Sequence, residues 1–363
     1  MDLLYEPSCK FSHRDYGIML PISPSRAARI IESLNAAPLD MTAASRKLGL
    51  PAGPVLSRED LERVHSKDFI AALYGEGPGG KQSLLEAILS AWELIDEEGC
   101  PHRYEPEQAT RPLEELFGKV LAQAGGTYLA CRLALAAEIG GPGFCYYLGG
   151  GLHHARYEGG TGFCLINDIM IAARKIQAEQ RAGLIWVVDV DAHKGCGTAE
   201  LIHFARQRGE LHALDGGADL PRIFNLSIHM TRGWPLDEET LAKARPGRAP
   251  CIPADVEIPI GAGQEYRYIT ELESGLRKLE QLSETASPDL VIVVDGADPY
   301  EHDGLLSSSL MKLSLDQCIQ RDRLIYDRLR NRNIPSAWIM AGGYGEQAWE
   351  PTAAFLAAAM TQP

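Results

Sequence analysis

Ionisable residues follow two apolar segments of the chain at the point where each segment ends. Asp189, Asp191 and His193 close the segment LIWVVDVDAH, and Asp298 closes the segment VIVVDGAD. Because alternate residues of an extended chain point to the same side, Asp191 and His193 can face one ligand together. Two carboxylates and one imidazole with an open coordination position suit a catalytic zinc ion. The alternative is that these acids only cap turns and helices, but burying three ionisable groups is costly without a metal or partners.

A second group of polar residues is the segment GGGLHHA, which contains His153 and His154. Glycine permits the positive-φ or closely approaching backbone that a loop facing a ligand needs. A single histidine there would more often be structural. A tandem pair in the same chain as the Asp/His cluster favours acid–base catalysis.

The elements that must position these residues alternate along the second half of the chain. Short, nearly continuous apolar runs predict strands that are covered on both faces, at residues 144–148, 184–190, 223–228, 290–294 and 337–340. Amphipathic stretches predict helices at residues 24–34, 57–74, 123–139, 167–181, 198–208, 265–283 and 314–331. Strand–helix–strand repetition indicates a mainly parallel sheet, so we predict one three-layer α/β/α domain over residues 1–363, with a loop insertion at 230–253. In such a sheet, ligands bind beyond the carboxyl ends of the strands, where the polar residues lie.

Composition and charge exclude several classes of protein. The 363 residues include 35 Lys and Arg against 49 Asp and Glu, a formal net charge of −14, which argues against a nucleic-acid binder. No stretch approaches the roughly 20 apolar residues that span a bilayer, and the first residues carry no signal-peptide pattern. The eight cysteines are scattered without a CxxC pair. We therefore predict no disulfide framework, no membrane partner and a cytoplasmic location.

The ordered set of motifs resembles the zinc-dependent histone deacetylase family, which includes the acetylpolyamine amidohydrolases and shares the arginase-like fold. The matching segments are GGGLHHA at 149–155, GFCLIND at 162–168, DVDAHKGCGT at 189–198, GAD at 296–298 with DGL at 303–305, and GGY at 342–344. They occur in the family's order across most of the chain. The resemblance implies an arginase/deacetylase-like fold.

The resemblance also implies a zinc site and the residues that act on a substrate. The implied zinc ligands are Asp191, His193 and Asp298. The implied catalytic residues are two histidines that handle the protons of water and amine, an acid that orients the first histidine, and a tyrosine that donates a hydrogen bond to the scissile carbonyl: His153, His154, Asp189 and Tyr344. Zinc lowers the pKa of bound water to about 7 and polarises a carbonyl, which is what amide hydrolysis requires.

Further positions correspond to residues around the substrate and to an ion site. The implied substrate-binding residues are Gly162 and Phe163 in one tunnel wall and Gly343 beside the catalytic tyrosine. The implied potassium site comprises Asp189, Asp191, His193 and Ser227. Arg26 corresponds to an arginine at the foot of the cavity where acetate leaves, and we expect Trp234 to form the second tunnel wall.

Two departures from the family pattern affect the second histidine and its surroundings. Lys194 stands where many members have a second histidine after the metal ligand, and Cys196 stands where an Asp or Asn usually orients the second catalytic histidine. A thiol is a weak donor and a weak acceptor, so we expect His154 to be held less firmly.

The function that follows is a zinc-dependent amidohydrolase that removes acetyl or other acyl groups from acyl-lysine or from small acylated amines. Two alternatives stay open: an acetylpolyamine-specific deacetylase, which is compatible with an oligomer, and a catalytically weak acyl-lysine binder. An arginase-like ureohydrolase is disfavoured, because a two-metal site needs more carboxylate and histidine ligands.

Overall fold

The central element of the structure is a parallel sheet of eight strands. The computed structural model describes residues 1–5, 12–37, 46–49, 55–96, 99–136, 143–212, 221–237, 251–284 and 286–361. The strands are β1 (Asp2–Leu4), β2 (Arg46–Leu48), β3 (Phe144–Tyr147), β4 (Leu184–Asp189), β5 (Arg222–Met230), β6 (Val256–Ile260), β7 (Leu290–Asp295) and β8 (Ser336–Met340). Their order in the sheet is β2-β1-β3-β8-β7-β4-β5-β6, with every neighbouring pair parallel.

Helices cover both faces of this sheet. They are α1 (Arg26–Ala36), α2 (Arg58–Glu62), α3 (Lys67–Leu73), α4 (Lys81–Ala91), α5 (Glu115–Leu135), α6 (Asp168–Ala178), α7 (Cys196–Gln207), α8 (Tyr268–Leu282), α9 (Leu315–Arg330) and α10 (Glu350–Met360). One hydrophobic cluster joins one face of the sheet to helices that include α5, α6 and α7, and a second joins the other face to α1, α8, α9 and α10. This is the predicted three-layer α/β/α arrangement.

The strand β4 shows why the apolar runs predict this fold. Ile185 and Val187 belong to the first hydrophobic cluster, whereas Trp186 and Val188 belong to the second. All four side chains are buried, because alternate residues of a strand point to opposite faces and both faces are covered by helices. A continuous apolar run is therefore what a central strand of this sheet requires.

The five predicted strands and the predicted helices are confirmed, with differences at their ends. The predicted helix 57–74 is two helices, α2 and α3, because the Ser66 side chain accepts a hydrogen bond from Phe69 N and starts a new helix. The predicted helix 123–139 begins earlier, at Glu115, and ends at Leu135. Strands β1, β2 and β6 and helices α4 and α10 were not predicted.

Two expectations about organisation have a more limited outcome. Part of the predicted insertion 230–253 lies outside the described residues, at 238–250, and its first residue, Met230, is the last residue of β5. The single domain over 1–363 stays a prediction. None of the helices in the described ranges combines the length and apolar composition that crossing a bilayer requires.

Candidate active site

The predicted metal ligands converge beyond the carboxyl ends of β4 and β7. Asp191, His193 and Asp298 are all buried, and one potential ligand atom from each lies within 4.8 Å of the other two. The Nδ1 atom of His193 is 2.7 Å from Asp298 Oδ2 and 3.3 Å from Asp191 Oδ1. The residues that the sequence predicted as one cluster therefore surround one point.

Backbone amides hold the two carboxylates of this triad. Asp191 Oδ2 accepts a hydrogen bond from Gly342 N at 2.9 Å, and Asp298 Oδ1 accepts one from Ala192 N at 3.1 Å. A Cβ atom on Gly342 would overlap Asp191 Oδ2, so only glycine allows the loop after β8 to approach this closely. Burial and then the charge of Asp191 raise the pKa of Asp298 to about 7, because two carboxylates in one dry site disfavour a second negative charge.

The first tandem histidine is paired with the acid predicted to orient it. His153 Nδ1 lies 2.7 Å from Asp189 Oδ2, and His153 Nε2 lies 3.8 Å from Asp191 Oδ1 on the metal side. Burial opposes the charged imidazolium, but Asp189 and Asp191 outweigh it and raise the pKa of His153 to about 9. One ring nitrogen is thus held by Asp189 while the other faces the triad.

The second tandem histidine has the opposite electrostatics. Its ring centroid is 3.8 Å from that of His153, and its Nδ1 atom is buried without a hydrogen-bond partner among the described residues. Burial, followed by the charges of His153 and His193, lowers the pKa of His154 well below its ordinary value. His154 is therefore the neutral member of the pair.

The glycine loop before the histidines takes the conformation that the sequence predicted for a ligand-facing turn. Gly150 and Gly151 have φ angles of 78° and 79°, in the left-handed region that favours glycine. The buried Asp168 accepts hydrogen bonds from Gly151 N at 3.0 Å and Leu152 N at 2.6 Å, and a further one from the Thr127 hydroxyl. Asp168 thus fixes the loop that presents the catalytic pair.

Tyr344 lies on the loop after β8 and lines the same cavity as Asp191, His193 and the tandem histidines. Its backbone N–H donates a 2.7 Å hydrogen bond to Asp303 Oδ2, which anchors the loop. Burial first, and then Asp298 and Asp191, raise the pKa of Tyr344 well above its ordinary value. The phenol is therefore a protonated, neutral donor.

The cavity has a volume of about 210 Å³ and is lined by Asp191 and His193 and also by Arg26, whose part of the cavity we call its foot. Phe163, Gly162 and Gly343, the predicted substrate residues, line it, and the rings of Phe163 and Tyr344 are 6.5 Å apart. The indole of Trp234 lies against the site, with its centroid 4.6 Å from that of His154 and 5.9 Å from that of His193. The two residues predicted for opposite tunnel walls both border the site.

Arg26, which the family resemblance places at the foot of the cavity, is among the residues that line it. Its guanidinium is buried, and Nη1 donates hydrogen bonds to Ala341 O at 2.7 Å and Gly342 O at 3.1 Å. Its Nε and Nη2 atoms are buried without a hydrogen-bond partner in the described part of the chain. Arg26 therefore supports the tyrosine loop and still has donors to offer.

Two of the predicted cation residues, Asp189 and Ser227, lie side by side in the sheet, and Asp191 and His193 follow the end of β4. Ser227 pairs with Asp189 in the register of β4 and β5. The Ser227 hydroxyl is 3.1 Å from His229 Nδ1, and His229 Nε2 is 3.4 Å from Glu257 Oε1. Lys194, one of the family departures, is buried and forms an ion pair with Glu257.

Cys196 corrects an expectation. The scattered cysteines predicted no disulfide framework, but Cys196 forms a disulfide with Cys251, with Cα atoms 5.3 Å apart. The two lie 55 residues apart in sequence, and a spacing of this kind contains no signal for pairing. The other cysteines in the described ranges are free thiols.

Sequence reasoning also missed residues that support the site. Ser307 Oγ lies 3.1 Å from His193 Nε2, Asp168 holds the glycine loop, and His13 is among the residues that line the cavity. The motif GFCLIND contains Asp168 and could have indicated it, whereas Ser307 and His13 have no local pattern that marks them.

The fold and this site define a class of protein: a parallel α/β protein with a buried Asp–His–Asp triad beside two histidines and a tyrosine. Residues 20–360 match the histone deacetylase domain, so the chain belongs to the histone deacetylase family. A likeness in fold extends to the crystal structure of an acetylpolyamine aminohydrolase from Burkholderia pseudomallei, with a TM-score of 0.63 at 18% identity, covering 98% of this chain and 97% of that one.

Curated relatives match over part of their length. Histone deacetylase 2 of Arabidopsis thaliana is 31% identical over 292 residues, which is 79% of this chain and 61% of that protein. The acetoin utilization protein AcuC of Bacillus subtilis is 27% identical over 293 residues, which is 81% of this chain and 65% of AcuC. The match thus spans less than two thirds of the length of these relatives.

Proposed function

We propose that this chain is a zinc-dependent amidohydrolase that removes acyl groups from the amine of acyl-lysine or of small acylated amines. The observation that carries the proposal is that Asp191 and His193, which form the triad with Asp298, line one cavity together with the tandem histidines and Tyr344. Family membership supports the same chemistry.

The residues present fit a zinc ion. One imidazole nitrogen and two carboxylate oxygens are ligands that zinc takes in catalytic sites, where a fourth position stays open. His193 Nδ1 faces both carboxylates, and its Nε2 faces the Ser307 hydroxyl, so the ring is oriented for binding through Nδ1. When bound, zinc would lower the pKa of a water molecule and polarise the scissile carbonyl.

The two histidines divide the proton transfers in our proposal. His153 is held by Asp189, whose carboxylate favours the charged imidazolium and so places positive charge beside the negative charge that develops on the substrate. His154 is neutral, so its imidazole accepts the proton of the attacking water and returns it to the leaving amine.

Tyr344 and the foot of the cavity complete the proposed cycle. The phenol donates a hydrogen bond to the carbonyl oxygen as that atom gains negative charge. Phe163 and Trp234 flank the acyl-amine stem, and the free donors of Arg26 meet the carboxylate product. We further propose that potassium binds near Asp189, Asp191, His193 and Ser227, that the location is cytoplasmic, and that no nucleic acid is a partner.

A panel of substrates tests the proposed function. Initial rates are measured on acetyl-lysine and longer acyl-lysine peptides beside acetylated polyamines, with free amine as the product detected. We expect turnover on at least one class and a fall of roughly 10²–10³-fold in kcat for Tyr344→Phe, with KM little changed.

The matched control is Tyr266→Phe, because that side chain is 78% exposed and far from catalytic contacts. Folding and zinc content are checked in parallel. A zinc-loaded wild type with no turnover on any member of the panel would leave the acyl-amine binder as the better hypothesis. Selective turnover of acetylated polyamines would narrow the proposal to the polyamine-specific deacetylase.

A further inference from the structure

A buried arginine lies directly beneath the metal ligands, on the face of the sheet that α9 covers. Arg321 is 1% exposed, and its Nη1 atom donates hydrogen bonds to Val190 O at 3.1 Å and Gly296 O at 2.8 Å. Val190 precedes Asp191, and Gly296 stands two residues before Asp298. One nitrogen thus bridges the two segments that supply the carboxylate ligands.

This bridge lies where the backbone pairing between β4 and β7 ends. The register of β4 and β7 ends with Asp189 opposite Val294, and Val190 N still donates to Val294 O at 3.1 Å. Beyond that bond the segments after β4 and β7 continue as separate loops. A buried carbonyl needs a donor, and Arg321 supplies one to each loop.

Two carboxylates fix the guanidinium in this orientation. Arg321 Nη2 donates to Asp295 Oδ1 at 2.5 Å, and Nε donates to Asp322 Oδ1 at 2.6 Å. The Tyr146 hydroxyl donates to the other oxygen of Asp295 at 2.6 Å. Burial disfavours the charge, but Asp322 and Asp295 outweigh it and hold the pKa of Arg321 well above its ordinary value.

We propose that Arg321 is a positioning residue for the metal site: its guanidinium bridges Val190 O and Gly296 O and sets the separation between the carboxylates of Asp191 and Asp298. The proposal rests on the proposed function only in requiring that zinc binds to the triad. A guanidinium suits this task because its donors lie in a rigid plane, whereas a lysine ammonium is a single point charge on a flexible stem.

The experiment measures the zinc dissociation constant of the metal-free protein by competition with a chromophoric chelator. Arg321→Lys retains the positive charge but loses the planar bridge, and we expect its zinc dissociation constant to rise by about 10- to 100-fold, the usual cost of losing an outer partner of a metal site. The matched control is Arg328→Lys on the same helix, where the side chain bonds Glu280 away from the site, and we expect no change in zinc affinity.

Thermal unfolding of the metal-free variants separates positioning from simple packing. A folded Arg321→Lys protein with wild-type zinc affinity, whatever its melting temperature, would overturn the proposal and leave the proposed function intact. Conversely, weakened zinc affinity in this variant supports the proposal even where no acyl-amine is hydrolysed by the wild type.

A second variant covers the case in which Arg321→Lys does not fold. Tyr146→Phe removes one hydrogen bond from Asp295 and therefore loosens the guanidinium without touching the triad. We expect the zinc dissociation constant of this variant to rise by roughly threefold or more. A threefold rise corresponds to about half of the net free energy of one hydrogen bond. An unchanged constant together with an unfolded Arg321→Lys would assign Arg321 to packing alone.

Discussion

The two ends of the site each contain a buried arginine that donates to backbone carbonyls, but the arginines differ in what else they contact. At the foot of the cavity, Arg26 bonds Ala341 O and Gly342 O through one nitrogen, and its other donors have no hydrogen-bond partner in the described residues. Beneath the metal ligands, every nitrogen of Arg321 donates, and two carboxylates are among the acceptors.

This difference distinguishes a group that awaits a ligand from a group that supports others. A buried donor without a partner is costly, so its persistence at the end of a cavity points to an anion that arrives during the reaction. The guanidinium of Arg321 already has hydrogen-bond partners in Asp295 and Asp322. Its role is therefore to position the two loops whose carbonyl groups accept its hydrogen bonds. Changes at the foot should therefore alter the chemistry, whereas changes beneath the triad should alter stability and metal binding.

The largest effect is expected between these two regions, at the triad itself. Asp298→Ala leaves two protein ligands, so we expect loss of both bound zinc and turnover. We expect the variant to fold, because burial and Asp191 disfavour the charged carboxylate of Asp298 in the metal-free protein and raise its pKa to about 7. Removing this carboxylate therefore removes an unfavourable buried charge. Metal analysis and thermal unfolding check both points, and stoichiometric zinc in the variant would remove Asp298 from the ligand set.

The next largest effect lies beneath the triad. Asp295→Ala removes one of the two carboxylates that compensate the buried guanidinium of Arg321 and leaves only Asp322, so we expect the free energy of unfolding to fall by about 3–5 kcal/mol. The control is Asp327→Ala on α9, whose exposed pair with Arg323 should contribute about 1 kcal/mol or less. Urea unfolding measures both free energies of unfolding. Equal losses in the two variants would contradict the claim that the buried cluster around Arg321 contributes more to stability than an exposed ion pair.

The sequence predicted the central strands and the grouping of the ionisable residues that follow β4 and β7, for physical reasons. Central strands buried on both faces must be continuously apolar, and the acids after β4 and β7 stand out against that background. Three-residue strands such as β1 and β2 are too short to show a pattern. Contacts made only in three dimensions, such as Ser307 with His193 and Cys196 with Cys251, leave no mark in local sequence.

A smaller effect is expected at the foot of the cavity. Arg26→Met removes the free donors that we assign to the carboxylate product, so we expect inhibition by acetate to weaken by roughly 10- to 100-fold, the value of a hydrogen bond to a charged group. The control is Arg29→Met one turn along α1, where the side chain is partly exposed and pairs with Glu346. If acetate inhibits the Arg26 variant as strongly as wild type, the free donors serve packing and the two arginines do not differ in role.

The smallest effect concerns Cys196, which stands where the family pattern has an Asp or Asn that orients the second histidine. Burial lowers the pKa of His154, whose Nδ1 has no hydrogen-bond partner among the described residues, and we expect the amide oxygen that Cys196→Asn introduces to accept a hydrogen bond from the protonated ring. That bond stabilises the charged form and raises the pKa, so the acid limb of kcat/KM should move to higher pH if His154 acts as a neutral base.

The matched control for this variant is Cys251→Ala, which breaks the same disulfide and leaves a thiol at Cys196. We expect its pH profile to stay close to that of wild type. An equal shift in both variants would assign the effect to the disulfide and not to the partner of His154.

The most direct test of a single-zinc amidohydrolase is a zinc titration of the metal-free protein. Hydrolysis of the best substrate of the panel is followed during the titration. One ion fits the triad of Asp191, His193 and Asp298, so we predict that the rate rises linearly with added zinc and stops rising at one equivalent per chain. Metal analysis of the titrated protein should give the same stoichiometry. Full activity in the chelated protein, or activity that needs two ions per chain, would contradict a single-zinc amidohydrolase.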